Sequence, residues 1–390
     1  MRKPEIIMCP GPVKVSPEVL LAQSQPMVYH RGPGYGALLS AVTDGMKKIF
    51  KTSNDVLSFT CSGTGGMECA VANSFARGDE VLVVDVGNFG KRFFDIATGY
   101  GLKAVRMEYE WGKVAVPEEV AQTLAANPGV KGVLMQQSET STGVMNDVEA
   151  IAKAIRGVSK DVLIIVDAIS GLGAAELKTD EWDLDVVIAG SQKAMAMSPG
   201  LAFLAVSDRA WKANERSDLP KYYFSWKKTK EALSRPNPEH PFTPAVCLFQ
   251  GMKTAIEIYL EEGSEAALAR HKLNSEAVKA GAKALGLEIY GEHPERGTAV
   301  TAIKVPEGID GKAVSSTVRK RFGIVIAGGQ GKLAGKVFRI GHLGWVDKMD
   351  ILQVLSAVEM ALRELGYPAK LGQGVAAAQG VYVAAEKPKA

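Results

Sequence analysis

Cysteine is scarce in this sequence, with four residues in 390: Cys9, Cys61, Cys69 and Cys247. They show no CxxC spacing and no neighbouring histidine cluster, so neither a disulfide scaffold nor a zinc site is indicated. Cys69 reads as a small buried hydrophobe. An excess of one charge is lacking too. The 46 basic residues face 43 acidic ones, a formal net charge of +3, too even for a nucleic-acid or membrane surface. No apolar run approaches the ~20 residues of a membrane-spanning helix. The opening MRKPEIIMCPGP meets proline after a few apolar residues and so lacks the apolar core of a secretory signal. A reducing cytoplasm is the expected location. The expected partners are small molecules or a second copy of the chain, with no nucleic acid, no membrane and no metal.

What is present is a chain of 390 residues that is 46% hydrophobic, enough to bury a large core divided into two or three lobes. Between about 50 and 210, short β-branched runs alternate with helical segments. The runs are VLVVDV (81–86), KAVRM (103–107), GVLMQ (132–136), VLIIVD (162–167), VVIAG (186–190) and LAFLAV (201–206). Continuous apolar runs of this kind predict βα units and a mostly parallel sheet covered on both faces. Residues 211–245 read as an irregular connection and 245–285 as long helices with a glycine break. From about 286, the strands AVTAIKV (299–305), GIVIA (323–327) and KVFRI (336–340) and a helix over 348–365 predict a smaller α+β lobe. The Ala- and Gly-rich end from Leu371 predicts a tail whose final few residues are disordered. No internal repeat is visible.

Two strands carry the chemistry. IIVDAIS ends in Asp167 and VVIAGSQKA leads into Lys193. In a parallel sheet the carboxyl ends of strands open onto one crevice, so an acid and an amine would face the same site. Pyridoxal phosphate chemistry needs such a pair, a lysine to hold the cofactor aldehyde and an acid to keep the pyridine nitrogen protonated. Taken alone, the two residues are equally readable as a helix cap and a solvated loop lysine. A third feature decides between the readings. FTCSGTGGMECAVAN runs an apolar stretch into Ser62-Gly63-Thr64-Gly65-Gly66 and then a helix. Glycines let backbone approach an anion, and a helix N-terminus offers it free N–H groups and a positive dipole end. This is not the dinucleotide fingerprint, since Glu68 stands where its last glycine belongs, and it is not a P-loop.

The segments SGTGGMECA, DVGNFGKR, SETSTGV, VDAISGLGA, AGSQKAMAMSPG and GKVFRIGHLG, in that order, resemble the class V aminotransferases, and within them the serine–glyoxylate and alanine–glyoxylate group. The resemblance runs from CPGP at Cys9 to GVAAA at Gly374. It implies a pyridoxal 5'-phosphate-dependent transferase of fold type I. That is an α/β fold, a large domain with a mostly parallel sheet plus a smaller α+β C-terminal domain, forming a homodimer with shared active sites. The expected division is an N-terminal arm over 1–20, a large cofactor-binding domain over 21–260, a small domain over 261–370 and a tail, partly disordered, over 371–390.

Carried over residue by residue, the resemblance places the aldehyde-holding lysine at Lys193 and the pyridine-nitrogen partner at Asp167. It gives the cofactor phosphate to Thr64, Gly65, Gly66 and Gln192, and to Thr243 reaching in from the neighbouring subunit. Phe89 falls at the ring-stacking position and Thr140 at the position of the hydroxyl that contacts the cofactor's phenolic oxygen. Arg339 falls where a guanidinium grips the substrate carboxylate, a task its planar fork suits, and the loop around Gly11 lines the site. His240 replaces an expected aromatic residue, which puts a second cross-subunit contact in doubt. His30 and His342 read as structural or substrate-proximal.

The implied activity is ping-pong transfer of an amino group from a small amino acid, serine or alanine, to glyoxylate or pyruvate. A cysteine desulfurase or lyase of the same fold is disfavoured, because those relatives carry histidine where this chain has Gln192 and Phe89. A non-catalytic, hydrogenase-subunit-like scaffold is disfavoured by the intact Lys193, Asp167 and Arg339.

Overall fold

The computed structural model describes residues 4–386. Its central element is a seven-stranded sheet in the order Asp55–Thr60, Leu201–Val206, Val186–Gly190, Leu163–Asp167, Val130–Gln136, Glu80–Asp85, Lys103–Glu108. All six expected runs are strands. The seventh, Asp55–Thr60, has no expected counterpart, because DVLSFT mixes polar with apolar residues. Leu201–Val206 runs antiparallel to both neighbours, while the other pairings are parallel.

Consecutive residues alternate between two apolar layers, as a period of two requires. Leu82, Val84, Val133, Met135, Ile164 and Val166 join one cluster with Leu39, Val42 and Phe50 of the helix Pro33–Phe50. Val81, Val83, Leu134, Ile165 and Ile188 join the other with Met67 and Val71 of the helix Gly63–Ser74. Each fully buried side chain of this size contributes roughly 1.5–3 kcal/mol, so the sheet is a stiff platform and its loops are free to carry function. The expectation of burial on both faces fails for Lys103–Glu108. That strand lies at the sheet edge and has no buried residue. Its Arg106 instead pairs with the fully buried Asp85 at 2.6 Å.

Residues 211–245, expected to be irregular, hold two helices in part, Asp208–Arg216 and Trp226–Leu233. Each starts on a serine, Ser207 or Ser225, whose hydroxyl accepts an amide of the first turn, the cap that compensates unpaired N–H groups. Trp226 is fully buried and donates its indole N–H to Cys69 Sγ at 3.3 Å. Cys69 is itself fully buried, and burial pushes its thiol well above the usual range.

The helices Val246–Glu262 and Ser264–Ala284 meet at Gly263. They lead into a three-stranded antiparallel sheet of Val300–Lys304, Val337–Gly341 and Ala327–Gly328. The run GIVIA divides. Ile324–Val325 leaves this sheet and pairs in parallel with Ile6–Ile7, tying the N-terminal arm to the small lobe. A separate apolar cluster, including Met8, Val278, Phe338, Ile340 and Leu355, forms the core here.

The tail from Leu371 is largely helical, Gln373–Glu386. This helix packs on Ser264–Ala284 and on Lys348–Glu364. Ala378 and Tyr382 are buried, and the Tyr382 hydroxyl donates to Asn274 Oδ1 at 2.9 Å. The expected disorder concerned the last few residues, of which 387–390 lie outside the described residues. No helix among the described residues is long and apolar enough to cross a membrane.

Candidate active site

The carboxyl ends of the parallel strands open onto one edge of the sheet, and their loops deliver the candidate residues. Asp167 ends one strand and pairs with Ile188 of the next, which runs on to Lys193. Burial pushes the Asp167 carboxyl up to about 6, against the pull of the Ile169 amide at 2.9 Å and of the charges on Lys193 and Arg92. Burial also lowers Lys193 to about 8, although Asp167 opposes the shift. The acid and the amine thus face each other as the strand order requires.

Lys193 Nζ donates to the Pro10 carbonyl at 2.5 Å. Gly11, with φ of +134°, lies directly against it: a methyl there would come within 2.7 Å of Lys193 Cε and 2.8 Å of Cδ. The N-terminal arm is therefore the lid over the lysine stem. Val13 N on the Gln192 carbonyl and Gly341 N on the Met8 carbonyl hold it down.

The glycine turn becomes the first turn of the helix Gly63–Ser74. Ser62 caps it weakly, its Oγ 3.5 Å from Gly65 N. Among the described residues the amides of Gly63 and Thr64 have no acceptor. Gly65 and Gly66 leave room only for backbone, since a methyl would lie 2.8 Å from Cys61 Sγ or 2.9 Å from Ile188 Cγ2. Gln192 Oε1 is buried without a hydrogen-bond partner. A glycine-walled helix start with free amides fits an anionic phosphate, and the adjoining acid and amine fit a pyridine aldehyde.

Arg339 lies in the middle of its strand, not at the end, paired with Ala302 and Ala327. Its Nε and Nη2 donate to the Gly328 carbonyl at 3.0 and 2.8 Å, and its Nη1 to the Thr140 carbonyl at 2.7 Å. Three of its five N–H groups are used, and two remain for a ligand among the described residues. Thr140 is buried and meets this group through its carbonyl oxygen rather than its hydroxyl. Phe89, in the first turn of Asn88–Gly99, has the Arg92 guanidinium 4.6 Å over its ring. Thr243 is exposed on the loop before Val246–Glu262, and no described contact joins it to Lys193.

His342 is fully buried, with its ring nitrogens on Thr301 Oγ1 and the Thr298 carbonyl, both at 2.9 Å. His240 is engaged inside this chain by the hydroxyls of Tyr35 and Ser58.

Two charged residues here escape the sequence reading. Arg92 donates to Thr64 Oγ1 at 3.0 Å and acts electrostatically on both Asp167 and Lys193. Glu139 is fully buried, and burial pushes its carboxyl up to about 7 against the pull of the Phe89, Gly90 and Ser141 amides and the Ser141 hydroxyl. Arg92 stands three positions from Phe89 in GNFGKR, and Glu139 one position from Thr140 in SETSTG. Glu139 closes the short strand Ser138–Glu139, beyond the end of the buried strand Val130–Gln136, and no local pattern marks it.

The class-V aminotransferase profile matches residues 19–339. The chain belongs to the class-V aminotransferases. This aminotransferase is 41% identical over 98% of its length to the "Soluble hydrogenase, small subunit" of Synechococcus sp., covering 99% of that protein. It is 36% identical to the L-aspartate–glyoxylate aminotransferase of Paracoccus denitrificans, with 96% of each chain covered. It is also 36% identical to the serine–glyoxylate aminotransferase of Methylorubrum extorquens, with 95% of this chain and 94% of that one covered. Among solved structures it superimposes on the ureidoglycine–glyoxylate aminotransferase of Bacillus subtilis with a TM-score of 0.93 at 32% identity, over 98% and 99% of the two chains. The fold is the fold type I of pyridoxal phosphate enzymes, and pyridoxal phosphate is the cofactor of the family.

Proposed function

We propose that this aminotransferase moves the amino group of a small amino acid, serine or alanine, to glyoxylate or pyruvate, with Lys193 as the cofactor-holding lysine. The observation that carries this reading is the convergence of Lys193 and Asp167 at adjacent strand ends, under a lid, beside the glycine-walled helix start. The helix start, through Thr64, Gly65 and Gly66, would hold the cofactor phosphate with Gln192. Asp167 would hold the pyridine nitrogen, Phe89 would face the ring, Thr140 would lie beside its phenolic oxygen, and Arg339 would hold the substrate carboxylate. When bound, pyridoxal phosphate supplies an aldehyde that captures the amino nitrogen and a ring that accepts the electrons released at Cα.

The protein's part is proton handling and orientation. With its ammonium lowered to about 8, Lys193 spends part of its population at neutral pH as a free amine, a base for the Cα proton. Asp167, at about 6, is mainly ionised there and stabilises a protonated ring nitrogen. Arg339 fixes one end of the amino acid, so the Cα–H bond is presented to Nζ in one orientation.

The relatives named for glyoxylate transfer support glyoxylate as acceptor, and one of them supports serine as donor. A second reading, aspartate as donor, is favoured by the second cation, Arg92, and by the relative named for aspartate. The chain is proposed to work as a homodimer. Thr243 supports this, being exposed where the family resemblance assigns it to the neighbouring site, as do the exposed apolar side chains Leu21, Met27, Tyr29 and Tyr222. Four unpaired cysteines are consistent with a cytoplasmic location.

The testing experiment is steady-state kinetics with serine, alanine and aspartate against glyoxylate and pyruvate. Parallel double-reciprocal lines with serine or alanine as the better donor are expected. A higher kcat/KM with aspartate replaces the donor assignment, and no keto acid from any pair refutes the activity.

A further inference from the structure

Glu139 is a fully buried carboxylate at the end of the short strand Ser138–Glu139, which pairs with Val144–Met145, and its partners are unusual. Its Oε2 accepts from Phe89 N at 2.9 Å and Gly90 N at 3.2 Å, and its Oε1 accepts from Ser141 N at 3.1 Å and Ser141 Oγ at 2.5 Å. The Ser141 Oγ in turn accepts from Asn88 N at 3.0 Å. Asn88, Phe89 and Gly90 form the first turn of their helix, whose amides have no partner within the helix itself. One carboxylate and one hydroxyl therefore satisfy all three amides, at the helix end where the dipole favours an anion. Space has been left for this. A methyl at Gly87 would lie within 2.5 Å of Glu139 Cγ and 2.6 Å of its Cδ. Burying a charge so completely is costly unless donors replace water on both oxygens, and here both oxygens are occupied.

The turn of this hairpin faces the other lobe. Thr140, between Glu139 and Ser141, gives its carbonyl oxygen to Arg339 Nη1 at 2.7 Å. Gly143 lies against the backbone of Ala302, the strand partner of Arg339. Glu139 also acts electrostatically on Arg339 itself. The hairpin thus touches the helix that presents Phe89 on one side and the guanidinium on the other.

We propose that Glu139 is a positioning residue that sets the Phe89 ring and the Arg339 guanidinium in register with each other. In effect, the cofactor-ring contact and the substrate-carboxylate contact are placed by a single side chain. The inference rests on the reading of Phe89 and Arg339 given above. It predicts a coupling that neither contact implies alone, because loosening Glu139 must disturb ring geometry and carboxylate grip together.

The test uses the pyridoxal phosphate-loaded enzyme and Glu139→Gln. Glutamine keeps the shape and one acceptor oxygen, but turns an NH2 group toward one of the two donor pairs. The converted cost of about one charge-assisted hydrogen bond is roughly a 10- to 100-fold change. The expected result has three parts. The donor KM rises by roughly tenfold or more, the circular-dichroism band of the bound cofactor changes in amplitude, and the KM effect of Arg339→Lys is less than multiplicative when combined with Glu139→Gln.

Glu359→Gln is the control. Glu359 is also a buried carboxylate, accepting from Gly372, Gly374 and Val375 amides at 2.7, 2.7 and 3.0 Å, in the tail region of the small lobe. Its loss should lower thermal stability and leave KM and the dichroism unchanged. If Glu139→Gln does not fold, Ser141→Ala removes the hydroxyl bridge alone and should move KM and dichroism in the same direction by a smaller factor. Wild-type KM and dichroism in every folded variant of this pair overturn the proposal, as does an equal change in Glu359→Gln. A wild-type protein that takes up no pyridoxal phosphate overturns the parent reading with it. A wild type that loads and turns over, with a silent Glu139, overturns only this inference.

Discussion

Replacing Gly11 by alanine should disable the site without dismantling the fold. The added methyl would lie 2.7 Å from Lys193 Cε and 2.8 Å from its Cδ, where carbon atoms normally rest about 3.5–4.0 Å apart. Relief requires a displacement of roughly 1 Å by the lysine stem or by the arm. The arm is held by the Met8–Gly341 and Val13–Gln192 hydrogen bonds, so the stem is expected to move. A misplacement of about 1 Å at the reacting group is worth about a hundredfold in rate, which corresponds to about 2.7 kcal/mol of transition-state stabilisation. The φ of +134° adds a backbone cost of about 1–3 kcal/mol to stability. The assay is kcat/KM for the best donor together with the thermal midpoint. The expected outcome is a loss of about two decades in kcat/KM with a midpoint lower by several degrees. Gly157→Ala is the control, since nothing lies within 4 Å of that position, and alanine there should stabilise the helix by about 0.5–1 kcal/mol. A Gly11→Ala enzyme within threefold of wild type would refute the idea that the arm seats the lysine.

Asp167→Asn keeps the shape and removes the charge. It should lower kcat by about 10²–10⁴ while the cofactor still loads, as judged by absorbance. Arg339→Lys keeps the charge and loses the fork that bonds Gly328 and Thr140, so kcat/KM for the amino acid should fall by roughly 10- to 100-fold, with the loss mainly in KM. Burial holds the Lys193 ammonium at about 8, below its ordinary 10.5. Between those values the unfolded chain binds more protons than the folded one, so the penalty of burying the ammonium is present below pH 8 and is relieved as pH rises toward 10.5. Lys193→Met apoprotein should therefore melt above wild-type apoprotein at pH 7, and the difference should shrink above pH 8; a difference independent of pH refutes the assignment.

Much of the sheet was legible because its inner strands are continuous β-branched runs, buried on both faces. That same burial hides direction: nothing in LAFLAV distinguishes the reversed strand from its parallel neighbours. The convergence of Asp167 and Lys193 was legible because strand ends meet by topology, and the glycine-rich helix start because glycine has no ordinary reason to cluster there. Glu139 and Arg92 were not, since their roles arise from contacts across the fold, Glu139 to Phe89 and Arg92 to Thr64. The Gln373–Glu386 helix was missed because its composition suggests disorder, whereas tertiary burial of Ala378 and Tyr382 supplies what intrinsic propensity does not.

The most direct test of the central claim is the ultraviolet–visible spectrum of purified protein supplied with pyridoxal phosphate, recorded before and after L-serine, L-alanine or L-aspartate, alongside Lys193→Ala. The account predicts a protein-bound cofactor band in wild type that is absent from Lys193→Ala and is bleached by serine or alanine. A wild-type band that survives in Lys193→Ala, or no band at all, would contradict it.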